Sequence, residues 1–275
     1  MEARQIIAEN IRRARIINKS SISEFSARTK IAERKIKEYE SGDKFPSMQD
    51  LYAISKETKL SLDFFFDHIQ AEVRLRGNRM PEREKKAIVE LARHKARAPA
   101  DLALIHEMEL FRGIPKQKQL NAETARRLGE NLAAEWSNGD PLVTIFEKHG
   151  IFIIKIPSQT ALFRGVFILR EGVPIIAIPE RARDYQETVE DIAHEFGHAV
   201  FLNQCLKAEE EELLCDAFSE GFSKKFIDLN EKKLGSFDFV ERAAVEAWRQ
   251  EKATASFAAE AMGISTRSFL ERNQK

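Results

Sequence analysis

The sequence predicts a mostly helical α+β protein, and three observations carry that reading. Apolar residues recur at helical spacing along most of the 275-residue chain. The period changes between about residues 150 and 179, where short β-rich runs are bounded by Gly and Pro. Long helical patterns then resume, and they hold the residues with metal-ligand chemistry.

With 43% hydrophobic and 32% charged residues, the chain has the composition of a packed globular protein, which excludes wholesale disorder. Its length exceeds what one small core needs, so two or three domains are expected. No run approaches the roughly 20 apolar residues of a membrane span, so no membrane partner is expected. The charged stretch Met1 to Arg15 lacks the apolar core of a signal peptide. The two cysteines, Cys205 and Cys215, form no CxxC motif, which suits a reduced compartment; a cytoplasmic location is expected. Net charge is zero but uneven. Residues 1–100 carry 22 Lys+Arg against 15 Asp+Glu (22 − 15 = +7), and residues 136–275 carry 17 against 23 (17 − 23 = −6). A basic front fits nucleic acid, although ordinary solvated helix faces give the same asymmetry.

Residues 1–68 read as five short helices. Ile6, Ile7, Ile11, Ala14 and Ile17 form one stripe, and Ser21 or Ser23 caps a second helix with Ile22 and Phe25. A third, with Arg34, Lys35, Ile36, Lys37 and Tyr39, stops at Gly42. Pro46-Ser47 opens a fourth, and Ser61 a fifth with Leu62, Phe64, Phe65 and Phe66. Residues 69–135 read as a basic linker and helical connector: nine Arg/Lys between 70 and 100, a charged helix from Glu82 to Lys95, then helical patterns at Leu102–Phe111 and Ala122–Trp136. Residues 136–230 form the next domain. Its strands are expected within Gly150–Pro157, Gly165–Leu169 and Pro174–Pro179, followed by helices from about Asp184 to Leu202 and Glu209 to Phe226. Residues 231–275 form a helical C-terminal segment. Phe257 to Leu270 there has the outline of a second helix-turn-helix, with a hairpin packed on the preceding domain as the alternative.

The chemistry centres on His194-Glu195-Phe196-Gly197-His198. Residues four apart share one helix face, so His194 and His198 can offer imidazole nitrogens to one metal ion. Glu195, beside the first ligand, is placed to take a proton from metal-held water rather than to ligate. Zinc suits two imidazoles, one further protein ligand and an open position. Glu212 is the candidate third ligand, because Asp216 lies four residues on, where it can accept the other ring N–H of a liganding histidine. The run Glu209 to Glu212 also reads as a solvated acidic helix start, which describes Glu209 and Glu210. Cys215 reads as a small buried core residue rather than a thiolate ligand. Arg164 and Tyr185 are candidate oxyanion donors, with structural roles as alternatives.

These residues resemble the ImmA/IrrE-type zinc metallopeptidases in the version fused to an N-terminal XRE-like helix-turn-helix domain. Thr188 to His198 is similar to that family's zinc helix, and Glu212-Leu213-Leu214-Cys215-Asp216-Ala217-Phe218-Ser219 to its third-ligand helix. Residues 5–66, with Tyr39-Glu40-Ser41-Gly42, Phe45-Pro46-Ser47 and Leu60-Ser61-Leu62-Asp63, follow the XRE pattern. The resemblance implies a zincin-like peptidase domain, with His194, His198 and Glu212 as zinc ligands and Glu195 as catalytic base. It also implies regulated cleavage of a helix-turn-helix repressor, in stress-response fashion, relieving transcriptional repression. Operator DNA would be bound through residues 1–68, with Arg34, Lys35 and Lys37 as contacts. Three departures touch that domain or the zinc-helix entry: Ile22 stands where a Gln is usual, Ala32-Glu33 opens the recognition helix with an acid, and no Phe precedes Thr188. None removes a zinc ligand. Cleavage in trans, self-cleavage in the basic linker, a non-proteolytic regulator whose zinc domain senses a partner, and a homodimer all stay open.

Overall fold

The computed structural model describes residues 3–68, 71–76, 80–117, 119–158, 160–181, 183–229 and 233–273. It is mostly helical with one small mixed sheet, the α+β class expected. Its contacts divide the chain into two compact units, Met1–Gln70 with Asn78–His94, and Ala71–Gly77 with Lys95–Lys275.

In the first unit, α1 (Ala3–Ile17), α2 (Ile22–Thr29), α3 (Glu33–Glu40) and α4 (Met48–Thr58) precede a short 3-10 turn at Leu62–Phe66, where a fifth helix was expected. Ser21 caps α2 in a capping box with Glu24, and Ser47 caps α4 through the Asp50 amide. Ile11, Phe25, Ile36, Ile54, Phe64 and Phe65 are buried together as the core. The charged helix α5 (Glu82–Lys95) belongs to this unit rather than to a free connector. Glu90 on α5 pairs with Arg13 on α1 at 3.2 Å, and the His94 ring meets Phe64 edge-on at 4.9 Å.

The second unit is built on a four-stranded sheet in the order β1-β3-β4-β2: β1 (Ala71–Arg76), β2 (Phe152–Ile156), β3 (Gly165–Arg170) and β4 (Val173–Pro179). β3 lies antiparallel to both β1 and β4, and β2 runs parallel to β4. The last three strands lie where the Gly/Pro-bounded runs put them. β1 lies in the segment read as linker. Its residues alternate, with Val73 and Leu75 between Glu72, Arg74 and Arg76, which is the period-2 signal of a half-buried edge strand.

Around the sheet lie α6 (Arg97–Ile105), α7 (Ala122–Trp136), α8 (Leu142–Lys148), α9 (Tyr185–Val200) and α10 (Ala208–Leu229). The helix expected over Leu102–Phe111 ends at Ile105, and Glu107 turns the chain with a positive φ. Asp184 caps α9, accepting from the Glu187 amide at 2.7 Å. α9 packs on β3 and β4 and is sandwiched by α10, which also packs along α7. The α7–α10 approach is set by glycines. A β-carbon on Gly129 would stand 2.3 Å from the Phe218 carbonyl oxygen, and one on Gly221 2.1 Å from that of Arg126. Phe196 anchors α9 in the core, its ring 4.8 Å from Trp136, 5.0 Å from Phe146 and 5.4 Å from Phe222. Such aromatic pairs add about 0.5–1.5 kcal/mol each beyond area burial.

The C-terminal segment forms α11 (Phe239–Arg249), α12 (Ala255–Ala261) and α13 (Thr266–Asn273). α11 packs on α6, where the His106 ring donates to the Ala243 carbonyl at 2.9 Å. Phe269 of α13 is buried edge-on against Trp248. The segment packs within the second unit. Among the described residues, no helix is long and apolar enough to cross a membrane.

Candidate metal centre

The pentad lies in the last three turns of α9, and His194, Glu195 and His198 are all buried. The four-residue spacing puts both imidazoles on the face turned to α10, their rings 5.4 Å apart. Gly197 is what lets α10 come so close. A β-carbon there would stand 3.0 Å from the Cys215 Cα and 3.0 Å from its Sγ.

The close approach brings Glu212 to both rings. Its Oε2 lies 3.3 Å from His194 Nε2 and its Oε1 3.6 Å from His198 Nε2. The other ring nitrogens are held from behind. His194 Nδ1 lies 2.9 Å from Asp216 Oδ1, and His198 Nδ1 lies 2.9 Å from Glu211 Oε1. A carboxylate can only accept, so His198 Nδ1 donates to Glu211. The hydrogen bond from His194 holds Glu212 below the ordinary carboxylate range; the charges of His198 and His194 add to this, while burial opposes it.

Glu195 sits against the start of β3. A β-carbon on Gly165 would stand 2.7 Å from the Glu195 Cγ and 2.8 Å from its Oε1. Arg164, the preceding residue, donates through Nε to Asp191 at 2.7 Å, and Arg183 binds the other oxygen of the same carboxylate. Asp191 is buried one turn before His194, so this ion cluster ties the entry of β3 to α9. Arg164 also lines an open cleft with Asp216, Glu190 and Ser219. The Tyr185 hydroxyl is buried within the core packing, and burial raises its pKa.

The residues expected to meet do meet: His194, His198, Glu212 and Asp216, with Glu195 beside them. The helix pattern held no role for Glu211, which is buried, orients His198 and pairs with Arg74 of β1. Its signal was faint: Glu211 and Cys215 are four apart and share the inward face. Cys215 is buried as expected. Burial, then the negative charges of Glu211, Glu212, Glu195 and Asp216, hold its thiol protonated, well above the ordinary value. Leu213 is exposed, one helix step away from buried Leu214.

Among the described residues, two groups could hold a metal ion: His194, His198 and Glu212, and His198, Glu211 and Cys215. The first fits a zinc ion. Its donors lie within 4.8 Å of one another and are the two-imidazole, one-carboxylate set used in catalytic zinc sites. His198 Nε2 is also buried without a hydrogen-bond partner among the described residues.

The recognition-helix candidates sit differently. Arg34, Lys35 and Lys37 are all exposed; Arg34 pairs with Glu38 at 3.0 Å and Lys35 with Asp50 at 3.4 Å. α3 carries as many acids (Glu33, Glu38, Glu40) as bases. No family model, curated protein or solved structure matches the chain.

Proposed function

We propose that this protein is a zinc-dependent endopeptidase acting in gene regulation, cleaving a helix-turn-helix repressor, in trans or within its own linker, to relieve repression. The observation that carries the reading is the convergence of His194 Nε2 and His198 Nε2 on the Glu212 carboxylate, with buried Glu195 alongside. His194, His198 and Glu212 would hold the ion, which when bound lowers the pKa of a coordinated water to about 7 and polarises a carbonyl. Asp216 and Glu211 fix both imidazole tautomers with Nε2 toward the ion. Glu195, kept in place by Gly165, accepts the proton of the attacking water and returns it to the leaving amine.

The regulatory part of the proposal rests on the resemblance to ImmA/IrrE-type peptidases and on the α2–turn–α3 arrangement of the first unit, read as XRE-like. The balanced charge of α3 favours pairing with a similar domain of the repressor over tight operator binding. Co-expression with helix-turn-helix repressors tests both parts. The native chain should yield zinc-dependent fragments and Glu195→Gln none. Equal fragments from both, or none from the native chain with one equivalent of zinc bound, would remove the peptidase reading. Operator binding would be read by salt: loss of Lys37 should flatten the dependence of log K on log salt by about one unit if it contacts phosphate.

A further inference from the structure

The two candidate metal groups share His198 through opposite ring nitrogens. One lies on the Nε2 side with His194 and Glu212, the other on the Nδ1 side with Glu211 and Cys215. On the Nδ1 side a cation is already present. Arg74, on edge strand β1, pairs through Nη1 with Glu211 Oε2, while Glu211 Oε1 accepts the hydrogen bond from His198 Nδ1 at 2.9 Å. Glu211 is buried, so its charge needs a partner; the guanidinium supplies one and holds the carboxylate in one orientation.

Accordingly, we infer that Arg74 is the built-in cation of the second group, and that Arg74 and Glu211 act together as positioning residues that reserve His198 Nε2 for a single ion. This rests on the metallopeptidase reading of the site. With Nδ1 protonated toward Glu211, the lone pair of His198 faces Glu212. A guanidinium beside Glu211 repels a second divalent ion, and Cys215 Sγ lies 3.5 Å from His198 Nδ1, the nitrogen that faces Glu211. The strand that carries Arg74 pairs with β3 in register, Arg74 opposite Phe167. Phe167 in turn lies along the His198 ring, the centroids 6.2 Å apart. Ring and clamp are therefore set by neighbouring positions of two paired strands.

The test is metal affinity of the full chain, read by zinc competition with a chelator, together with the absorption spectrum of the cobalt-loaded form. Glu211→Leu should weaken zinc binding about 10- to 100-fold. Arg74→Met should weaken it in the same direction, and Glu211→Gln, which keeps an acceptor for Nδ1, should recover part of the loss. Cys215→Ala should leave affinity unchanged, and the native protein should bind one cobalt without sulfur-to-metal charge-transfer absorption. Affinities within twofold of native for both Arg74→Met and Glu211→Leu would overturn the inference. So would a sulfur-to-cobalt band in the native protein, which would put the ion on the Cys215 side. Absence of proteolysis with this affinity pattern intact would sink the peptidase reading alone. A flat affinity pattern with proteolysis intact would sink only this inference.

Discussion

Gly197 and Cys215 face each other across the α9–α10 contact with no room for a β-carbon between them: one built on Gly197 would lie 3.0 Å from the Cys215 Cα. The glycine inside the pentad therefore sets the interhelical distance over which Glu212 reaches both histidines. Gly197→Ala gains about 1 kcal/mol of helix propensity, against about 1–3 kcal/mol for overpacking a filled contact. The backbone of α10 must move, since the obstructing atoms include a Cα. Zinc affinity should fall at least about tenfold, in line with disturbed ligand support, with stability changed by less than about 2 kcal/mol. Chelator competition and urea unfolding measure both; native affinity in Gly197→Ala would show that the helix spacing does not matter.

Gly165→Ala presses on the Glu195 Cγ and carboxylate rather than on backbone, so the buried Glu195 side chain must shift. The substitution should keep zinc stoichiometry and folding while reducing peptide hydrolysis by about 10²- to 10⁴-fold, the range attributed to a positioned general base. Hydrolysis at the native rate would mean that β3 does not position Glu195.

Asp191 sits buried between Arg164 and Arg183. Asp191→Asn removes the charge that both guanidiniums share, leaving Arg183 with Glu187, 3.1 Å away, and breaking a buried pair costs about 3–5 kcal/mol. Arg164 keeps part of its surface in water, so the lower end is expected. Denaturant unfolding of the second unit reads the loss, and a change under about 1 kcal/mol would show that the cluster is not a stabilising tie.

Burial and then the hydrogen bond to Asp50, 2.7 Å away, push the Tyr39 hydroxyl up to about 12 from its ordinary 10.0. A folded pKa above the unfolded one stabilises the neutral form. That contribution is whole below pH 10 and is lost as pH rises from 10 through about 12. Ultraviolet titration of tyrosinate should contain a step near 12 that Tyr39→Phe removes. The same substitution should remove this component of alkaline destabilisation in the first unit. A step at the ordinary value would refute the buried contact.

Much of this protein was determined by local sequence pattern. His194 and His198 share a face because a helix turns 100° per residue, and Glu212 with Asp216 shares one for the same reason. Ser21, Ser47 and Asp184 cap helices through bonds from amides three residues on, and Gly/Pro boundaries enclosed three of the four strands. Tertiary structure alone decided the rest. Four consecutive glutamates look alike along a helix, and only the docking of α10 on α9 buries Glu211 while Glu212 turns to the Nε2 atoms. Arg74 looked like one more base of a solvated linker, until pairing of β1 with β3 carried it to Glu211. Helical periodicity is written in neighbours three and four residues away, whereas these contacts join residues on different elements, 13 positions apart for His198 and Glu211 and 137 for Arg74 and Glu211, and exist only once strands and helices have packed.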